Sequence, residues 1–445
     1  MVELMTRIAV RLLVRLARHG SIQSWLQRLQ SLYKSQQVLA SEAEIPEILA
    51  LGARPDNVSG RGKRLNLLVP AVSTQHVFGG IATALQVFDQ LRGSFEQARI
   101  IVTDEVAPQP DPKAFYGGWP VALLDDAPPG CDHIVVAGSR WGKQLAVHER
   151  DHFMVTAWWT ALNGFELLRW QVEHYPEDGA RQLLYLIQDY EPGFYPWSSR
   201  YVLAQSTYAK PHETVALINS GWLVDYLDAQ GHRFSCSRVL HPTLHPVLRE
   251  RRSQLAPFSK ERLLLVYGRP GTDRNAFPLV VAALKLWVRS FSGASSWRIV
   301  SAGEAFDPID LGHGCQLHSV GKLDIDGYAD LLSRTAVGLS LMVSPHPSYP
   351  PLEMAAFGVR VVTNGFANKD LSTLSSYLTS LPLATPQNLA SALAALTSAF
   401  DARSEQSRAI PIEEIDWNDG YLQSNGCGLV DGKDLLAAWL GDKVA

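Results

Sequence analysis

The sequence contains little cysteine and no long apolar run. Its four cysteines are scattered along 445 residues and form no Cys-x-x-Cys pair, so we expect reduced, buried thiols in a cytosolic protein. No apolar run approaches the roughly 20 residues that span a bilayer. Arginines interrupt the apolar residues near the N-terminus, which argues against a signal peptide. These absences predict a cytoplasmic protein.

The sequence also lacks a large net charge and two phosphate-binding motifs. A formal net charge of −4 argues against general nucleic-acid binding. Neither Gly-x-Gly-x-x-Gly nor Gly-x4-Gly-Lys-Ser/Thr occurs, which disfavours a dinucleotide-dependent dehydrogenase and excludes a P-loop. With 46% hydrophobic and 19% charged residues the composition is that of an ordinary globular protein. Because 445 residues are too many for one core, we expect at least two domains.

Residues 1–60 are predicted to form a separate region that begins with a basic amphipathic helix. This helix fits attachment to an anionic inner-membrane surface, and it equally fits packing on the protein or on a dimer partner. A second helical pattern covers 22–39. The segment 5–19 carries four arginines at helical spacing, with leucine and isoleucine between them: Arg7, Arg11, Arg15 and Arg18.

Residues 61–246 are predicted to form a first Rossmann-like domain. An apolar strand over 65–70 is followed by a loop containing Gly79 and Gly80 and by a helix over 81–91. The glycines let the backbone approach a ligand, and the helix N-terminus attracts anions. Further alternation predicts a doubly wound α/β sheet, with strands over 99–103, 133–137, 153–157, 183–188 and 215–219 and helices over 159–173, 198–207 and 221–230.

Two predicted strand ends of this domain carry candidate ligand contacts. Trp158 and Trp159 follow one strand, and their indoles are able to stack on sugar rings. Core packing is the alternative for at least one of them. Asp189 and Tyr190 follow another strand, where a turn or capping role for the carboxylate is the alternative.

Residues 247–400 are predicted to form a second Rossmann-like domain, separated from the first by a cleft. Two His-Pro pairs and a run of charges over 241–260 predict an interdomain linker. A strand over 263–267 then leads into the turn 268–275 and a helix over 277–289. Later elements are strands over 297–302, 316–320 and 336–342 and a helix over 328–333; residues 401–445 are expected to form a helical tail whose last helix covers 432–440.

The most informative stretch is 344–358. Four of the seven residues from 345 to 351 are prolines, which predicts a rigid loop. Pro351 suits the first turn of a helix, so Glu353 would lie in that turn at the carboxyl end of a strand. A carboxylate there is able to accept two hydrogen bonds from ribose hydroxyls. The alternative is that Glu353 only complements the helix dipole.

Several strings in the second half resemble those of a glycosyltransferase family. Gly268 and Arg269 are followed five residues later by Arg274, and 350–353 matches the Pro-Pro-Leu-Glu end of a Glu-x7-Glu motif. With two Rossmann-like domains, this pattern resembles the retaining GT-B enzymes that include sucrose and glycogen synthases. Longer strings are similar to the WsaF-type rhamnosyltransferases of bacterial surface polysaccharide assembly: 188–192, 320–323, 340–354 and 368–371.

The resemblance implies which cations hold the diphosphate of a nucleotide sugar. Arg269 and Lys322, together with Arg274, would contact the phosphate oxygens, since a guanidinium suits bidentate contacts and an ammonium supplies a point charge. Positive charge there also stabilises the leaving group as the glycosidic bond breaks. The alternative is that these residues are solvated surface charges.

The resemblance also implies the remaining donor contacts. Glu353 would hold the ribose hydroxyls, and the backbone near Gly321 and Leu323 would face the base. The other donor-binding candidates lie in glycine-rich or loop backbone: Gly79, Gly80, Ser348 and Tyr349.

The implied reaction is retaining transfer of L-rhamnose from dTDP-L-rhamnose to a glycan or lipid-linked glycan. In a front-face route the departing phosphate oxygen accepts the acceptor's proton, so no protein base is required. Asp189 is the candidate for acceptor orientation or proton handling. The candidate acceptor contacts are Trp158, Trp159 and Tyr190.

The sequence departs from the family pattern at Pro345, where the first glutamate of Glu-x7-Glu would fall. A contact to the donor sugar is therefore absent or moved, with His346 and the backbone of Ser348 and Tyr349 as local candidates. A sugar with few hydroxyls, such as a 6-deoxyhexose, tolerates that loss.

No cofactor is expected. Asp324-Ile325-Asp326 has the form of a metal-binding Asp-x-Asp, but it precedes a helix, where Asp326 would be an N-cap. Metal-independent activity is therefore predicted.

Other functions remain open at the level of the sequence. The chain could transfer mannose or glucose from another nucleotide sugar. It could also be a non-catalytic GT-B module that binds sugar nucleotide or glycan, or a GT-B epimerase. A homodimer fits as well.

Overall fold

The computed structural model describes residues 45–56, 62–72, 79–105, 116–176, 181–240, 244–404, 408–415 and 430–441. The predicted helices over 5–19 and 22–39 lie outside these ranges. The described part of the first 50 residues holds one short 3-10 turn, Pro46–Ile48. All helices and strands described below belong to residues 51–445.

The first domain is built on an eight-stranded parallel sheet in the order β10-β9-β8-β7-β2-β3-β5-β4, while β1 and β6 form a separate parallel pair. The strands are β1 Gly52–Pro55, β2 Arg64–Val69, β3 Gln97–Val102, β4 Val121–Leu123, β5 His133–Val136, β6 Gln144–Val147, β7 Asp151–Val155, β8 Leu183–Ile187, β9 Thr214–Asn219 and β10 Cys236–Leu240. The helices are α1 Gly80–Arg92, α2 Trp158–His174, α3 Ser199–Ser206 and α4 Gly221–Ala229.

Apolar runs explain the central strands of this sheet. Every residue of β2 and β8 is buried, as expected for parallel strands that are covered on both faces. The amino ends of β2 and β7 are joined by a buried ion pair, in which Arg64 Nε lies 2.6 Å from Asp151 Oδ1. Burial alone would raise the pKa of Asp151, but Arg64 and Arg99 hold it well below its usual range.

The second domain is built on a seven-stranded sheet in the order β14-β15-β13-β12-β16-β17-β18, in which only the edge strand β14 is antiparallel to its neighbour. The strands are β11 Phe258–Ser259, β12 Glu261–Gly268, β13 Arg298–Gly303, β14 Ile309–Gly312, β15 Cys315–Gly321, β16 Thr335–Leu339, β17 Arg360–Asn364, β18 Leu378–Leu381 and β19 Ala409–Ile410, with β11 paired to β19. The helices of this domain are α5 Pro246–Leu255, α6 Phe277–Ser290, α7 Ile325–Arg334, α8 Tyr349–Ala356 and α9 Pro386–Asp401. The last helix of the chain is α10 Gly432–Leu440.

The predicted α/β architecture with two Rossmann-like domains is confirmed. Each sheet has an apolar core on both of its faces. Within the described ranges, no helix combines the length and apolarity that crossing a membrane requires.

The predicted linker over 241–260 is wrong from residue 246 onward. Pro246 opens helix α5, and the His245 side chain caps it by accepting from Val247 N–H. Leu244 and Leu248 are buried in the core of the second domain. The charge run is therefore the solvent face of a packed helix.

The last helix, α10, forms as predicted at 432–440, but it packs on the first domain. Trp439 is buried in a core cluster of the first sheet, and its indole donates to Gln182 O at 2.9 Å. Arg238 at the edge of that sheet forms an ion pair with Asp434. The chain thus returns from the second domain to the first.

Candidate functional site

The carboxyl ends of the two sheets meet at a group of polar side chains. Asp189 follows β8 of the first sheet, whereas Arg274 and Ser344 follow β12 and β16 of the second. The Ser344 hydroxyl donates to Asp189 Oδ1, and Arg274 Nε lies 3.8 Å from Asp189 Oδ2. Because open α/β sheets bind ligands at the carboxyl ends of their strands, this meeting point marks the candidate site.

Arg274 is directed toward the first domain. Its guanidinium carbon lies 4.1 Å from the ring centroid of Phe194, and its side chain is 30% exposed. The guanidinium therefore combines a cation–π contact with the ion pair to Asp189. A contact of Arg274 with the donor stays a prediction, since five N–H groups leave donors to spare.

The proline loop after β16 is braced by its own side chains. The Ser344 hydroxyl accepts from His346 N–H at 3.0 Å, and His346 Nδ1 accepts from Ser348 N–H at 3.0 Å. Ser348 has a φ of +68°, a region that L-residues rarely adopt. Such backbone persists only where its surroundings hold it, and it concentrates at functional sites.

His346 forms a second contact between the domains. Burial lowers the pKa of His346 to about 4, against the opposing charge of Asp189, so the ring is neutral near pH 7. His346 Nδ1 accepts from Ser348 N–H, and Nε2 lies 3.0 Å from Asn219 Nδ2 at the end of β9. Both ring nitrogens are thus occupied, and His346 does not replace the missing sugar-facing glutamate in this arrangement.

Arg269 and Lys322 lie close together on neighbouring loops. Arg269 follows β12 and its side chain is 40% exposed, while Lys322 follows β15 and is exposed. Partial desolvation and the charge of Arg269 lower the pKa of Lys322. Gly321 has a φ of +66°, which favours glycine at the turn that precedes Lys322. Two cations that repel each other at the ends of parallel strands favour a bound anion.

The partner of Arg269 was not predicted from the sequence. Glu304 accepts from Arg269 Nε at 3.3 Å and from Gly271 N–H at 2.7 Å, so it holds the turn after β12. No local motif marks Glu304, because it follows β13 and meets Arg269 only through the pairing of β12 with β13.

Glu353 lies in the second turn of α8 rather than in the predicted first turn. The helix begins at Tyr349 and its first turn holds Pro350 and Pro351. Away from the helix end, dipole compensation no longer explains the carboxylate. Burial raises the pKa of Glu353 to about 7, against the opposing effect of the Tyr328 hydroxyl.

The glycine pair of the first domain lies at the start of α1. Gly79 has a φ of +48°, and Gln188 at the end of β8 donates to Gly80 O at 2.7 Å. A Cβ on Gly80 would lie 2.8 Å from Gln188 Oε1, so a larger residue here would displace the Gln188 side chain. The Tyr349 hydroxyl of the second domain lies near Thr83 in α1 and near Asn219. The structure thus brings Gly79, Gly80 and Tyr349 to one place.

Leu323 and the Asp-x-Asp string belong to the second domain alone. Leu323 packs against the apolar core beside Tyr328. The predicted N-cap Asp326 is wrong, because Asp324 caps α7 by accepting from Gly327 N–H at 2.8 Å. Asp326 instead lies in the first turn, 3.4 Å from Arg251 Nε.

Two of the three predicted acceptor contacts lie in the core. The indole of Trp158 is fully buried and donates to the Tyr195 hydroxyl at 3.0 Å. Tyr190 is only 6% exposed and packs with other aromatic rings. The prediction that Trp158 and Tyr190 contact the acceptor directly is therefore wrong for this structure, because both side chains are buried. Trp159, the next residue of α2, is half-buried and donates to Asp104 Oδ1 at 3.1 Å.

One buried cation near the site was not assigned from the sequence. Lys369 is 2% exposed, and its ammonium donates to Met342 O at 2.7 Å and to His346 O at 3.4 Å. Burial lowers the pKa of Lys369 to about 7, against the charge of Asp189. The string 368–371 was part of the family resemblance, but nothing in its local pattern indicated a buried ammonium.

Two protein-family models match this sequence, one in each half of the chain. The model described as "WsaF, N-terminal domain" matches residues 64–221, and the model described as "WsaF, C-terminal domain" matches residues 262–394. The "O-antigen biosynthesis protein RfbC" of Myxococcus xanthus is 29% identical over 310 residues, which are 68% of this chain. The match spans 22% of the length of that relative.

Comparison with solved structures concerns the fold alone, because the identities are low. Sucrose-phosphate synthase from Thermosynechococcus elongatus superposes with a TM-score of 0.51 at 14% identity, over 85% of this chain and 97% of that one. The catalytic domain of starch synthase IV from Arabidopsis thaliana, bound to ADP and acarbose, superposes with a TM-score of 0.50 at 10% identity, over 86% and 100%.

Proposed function

Since the chain belongs to the WsaF family and has the GT-B fold, we propose that it is a retaining glycosyltransferase of surface polysaccharide biosynthesis. Its proposed donor is dTDP-L-rhamnose and its proposed acceptor is a glycan. The name of the Myxococcus relative, which refers to O-antigen biosynthesis, supports the glycan acceptor. The observation that carries the proposal is the pair of cations, Arg269 and Lys322, at the carboxyl edge of the second sheet.

The proposed reaction needs few groups from the protein. The bond between the sugar C1 and the diphosphate oxygen breaks, and a bond from C1 to the acceptor oxygen forms on the same face. The leaving diphosphate oxygen accepts the proton of the acceptor hydroxyl, so charge and protons balance without a protein base. Arg269 and Lys322 stabilise the negative charge that builds on the diphosphate. Asp189 accepts a hydrogen bond from Ser344 and forms an ion pair with Arg274, and these contacts support a positioning role for its carboxylate.

The proline loop offers few groups that could bind the hydroxyls of the donor sugar. Pro345 has no side-chain acceptor, and both ring nitrogens of His346 already have partners. Fewer groups of this loop therefore face sugar hydroxyls than in the Glu-x7-Glu pattern. A 6-deoxyhexose, which has one hydroxyl fewer than glucose or mannose, suits such a loop.

A calorimetric binding screen tests the donor. We expect dTDP-L-rhamnose to bind more tightly than UDP-glucose and GDP-mannose, and we expect excess EDTA to leave binding and turnover unchanged. Asp324 and Asp326 support metal independence, because one caps a helix and the other pairs with Arg251. Tight binding of GDP-mannose without binding of dTDP-L-rhamnose would overturn the donor, and loss of turnover in EDTA would overturn metal independence.

The affinity for dTDP-L-rhamnose is expected to rise with pH between 6 and 8. In its carboxylate form Glu353 accepts the 3′-hydroxyl of the donor's deoxyribose, and burial raises its pKa to about 7. Its ionised fraction therefore grows from about one tenth at pH 6 to about nine tenths at pH 8. Both phosphates of the donor are diesters, so the donor keeps its charge over this range.

Calorimetry at pH 6, 7 and 8 measures this dependence, with Glu353→Gln as its control. The variant is expected to bind more weakly at pH 8 and to show a flatter pH profile. An equal rise in affinity for the variant and the wild-type chain would assign the titration to another group.

A further inference from the structure

The string Asn368-Lys369 has no role in the proposed chemistry, although it lies beside the site. After β17 the chain forms a tight turn, in which Phe366 and Lys369 exchange backbone hydrogen bonds of 3.2 and 2.8 Å. Ala367 at its tip has a φ of +49°. We name residues 365–370 the bridging turn, because its side chains reach in two directions.

Toward its own domain, the bridging turn supports the start of the proline loop. The ammonium of Lys369 donates to the carbonyl oxygens of Met342 and His346. Asn364, the last residue of β17, accepts from Met342 N–H at 2.7 Å and donates to Met342 O at 2.9 Å. Hydrogen bonds from Lys369 and Asn364 thus fix the backbone of the loop 342–346 at both of its ends.

Toward the other domain, the bridging turn contacts helix α4. Asn368 Nδ2 donates to Trp222 O at 2.9 Å. The rings of Phe366 and Tyr226 lie 6.2 Å apart, centroid to centroid. The backbone segment that carries Lys369 is therefore tied to the first domain by two residues that precede it, Phe366 and Asn368.

We propose that the bridging turn is a positioning element, in which Lys369 holds the proline loop in its transfer geometry while Asn368 and Phe366 tie that geometry to the first domain. Lys369 acts through the loop backbone and does not itself touch the substrates. The inference rests on the proposed function, because it assigns the transfer geometry to a nucleotide-sugar site in the cleft.

A buried ammonium is a costly way to pack a loop. Removing a lysine from water carries a desolvation penalty, and apolar side chains of similar volume often replace buried charges without loss of stability. The charge of Asp189, in the first domain, favours the charged form of Lys369, so the two domains also interact electrostatically at this point. The geometry of the loop, rather than the stability of the fold, therefore explains a lysine at this position.

The chain contains a matched control for Lys369. Lys260 is also a buried lysine with two carbonyl acceptors, Leu332 O at 3.0 Å and Phe357 O at 2.7 Å. Those carbonyls lie at the C-terminal ends of α7 and α8, away from the first domain. Lys260→Met thus removes the same kind of interaction without touching the proline loop.

The test compares Lys369→Met with Lys260→Met by turnover of dTDP-L-rhamnose, calorimetric affinity for dTDP and thermal unfolding. We expect Lys369→Met to lower turnover by about 10²-fold through misplacement of the loop. Its affinity for dTDP should change by less than about threefold, because the base and phosphates bind elsewhere. Equal losses of turnover in both lysine variants would overturn the proposal, because the lysine would then serve only stability.

A milder pair of variants keeps the test decisive if Lys369→Met does not fold. Asn368→Ala removes the exposed bond to Trp222 O, and Asn388→Ala removes an equally long exposed bond to Leu383 O within the second domain. Lower turnover in Asn368→Ala alone, with unchanged affinity for dTDP, supports the proposal, and equal turnover in both overturns it. If the wild-type chain binds dTDP and both variants match its turnover, only this inference is overturned. If the wild-type chain neither binds nor turns over any nucleotide sugar, the proposed function is overturned as well.

Discussion

Replacing Arg269 with alanine is expected to lower turnover of the nucleotide sugar by about 10²- to 10³-fold, the usual cost of losing one group that stabilises developing charge. Arg269 lies at the carboxyl end of β12, beside Lys322, and its side chain is 40% exposed. The guanidinium is thus able to contact two phosphate oxygens at once. Because charge on the diphosphate grows as the bond to the sugar breaks, kcat should fall more than the affinity for the ground-state donor.

Arg262 is the matched control for this variant. It lies near the amino end of the same strand, is 41% exposed and also pairs with one carboxylate, Asp401. Arg262→Ala therefore removes a comparable ion pair at the opposite edge of the sheet. We expect its turnover to stay close to that of the wild-type chain. Similar losses in both variants would mean that Arg269 only stabilises the fold.

Replacing Asp189 with asparagine is expected to lower turnover by about 10²-fold, with little change in the affinity for dTDP. The amide retains a hydrogen-bond acceptor for Ser344, but it no longer carries the charge that faces Arg274 and Lys369. The two domains would then lose the ionic part of their contact. Turnover and calorimetric affinity separate this positioning role from donor binding, and unchanged turnover would remove Asp189 from the site.

Glu191 supplies the control for Asp189. It is a second buried carboxyl group only two residues along the chain, and it accepts from Trp158 N–H at 2.6 Å. Burial raises the pKa of Glu191 to about 8, so the group is mainly neutral at pH 7. Glutamine has the shape and charge of that neutral acid. Glu191→Gln is therefore expected to retain turnover, whereas Asp189→Asn is not.

Much of the fold follows from local pattern. Buried strands such as β2 and β12 are apolar runs, and their order along the chain predicts the α/β architecture. Helix boundaries were harder. The pattern around Pro246 predicts a linker, although proline is also favourable at the first helical position. Only the burial of Leu248 on the second sheet decides between the two.

The site was predicted where its residues belong to a motif, and it was missed where they do not. Arg269, Lys322 and Glu353 follow from strings of neighbouring residues. Glu304 and Lys369 carry no such string, because their partners are reached through strand pairing and loop packing. The two tryptophans show the same limit, since adjacent positions in one helix place Trp158 in the core and Trp159 beside Asp104.

The sequence by itself therefore determined the two Rossmann-like domains, the family and the residues proposed to hold the nucleotide, because each depends on patterns of neighbouring side chains. The tertiary structure alone decided how residues of the two domains meet at one candidate site. Ser344 bonds to Asp189 across 155 positions, and His346 meets Asn219 across 127. No local pattern encodes such a pair, because its distance depends on how two separately folded sheets are brought edge to edge.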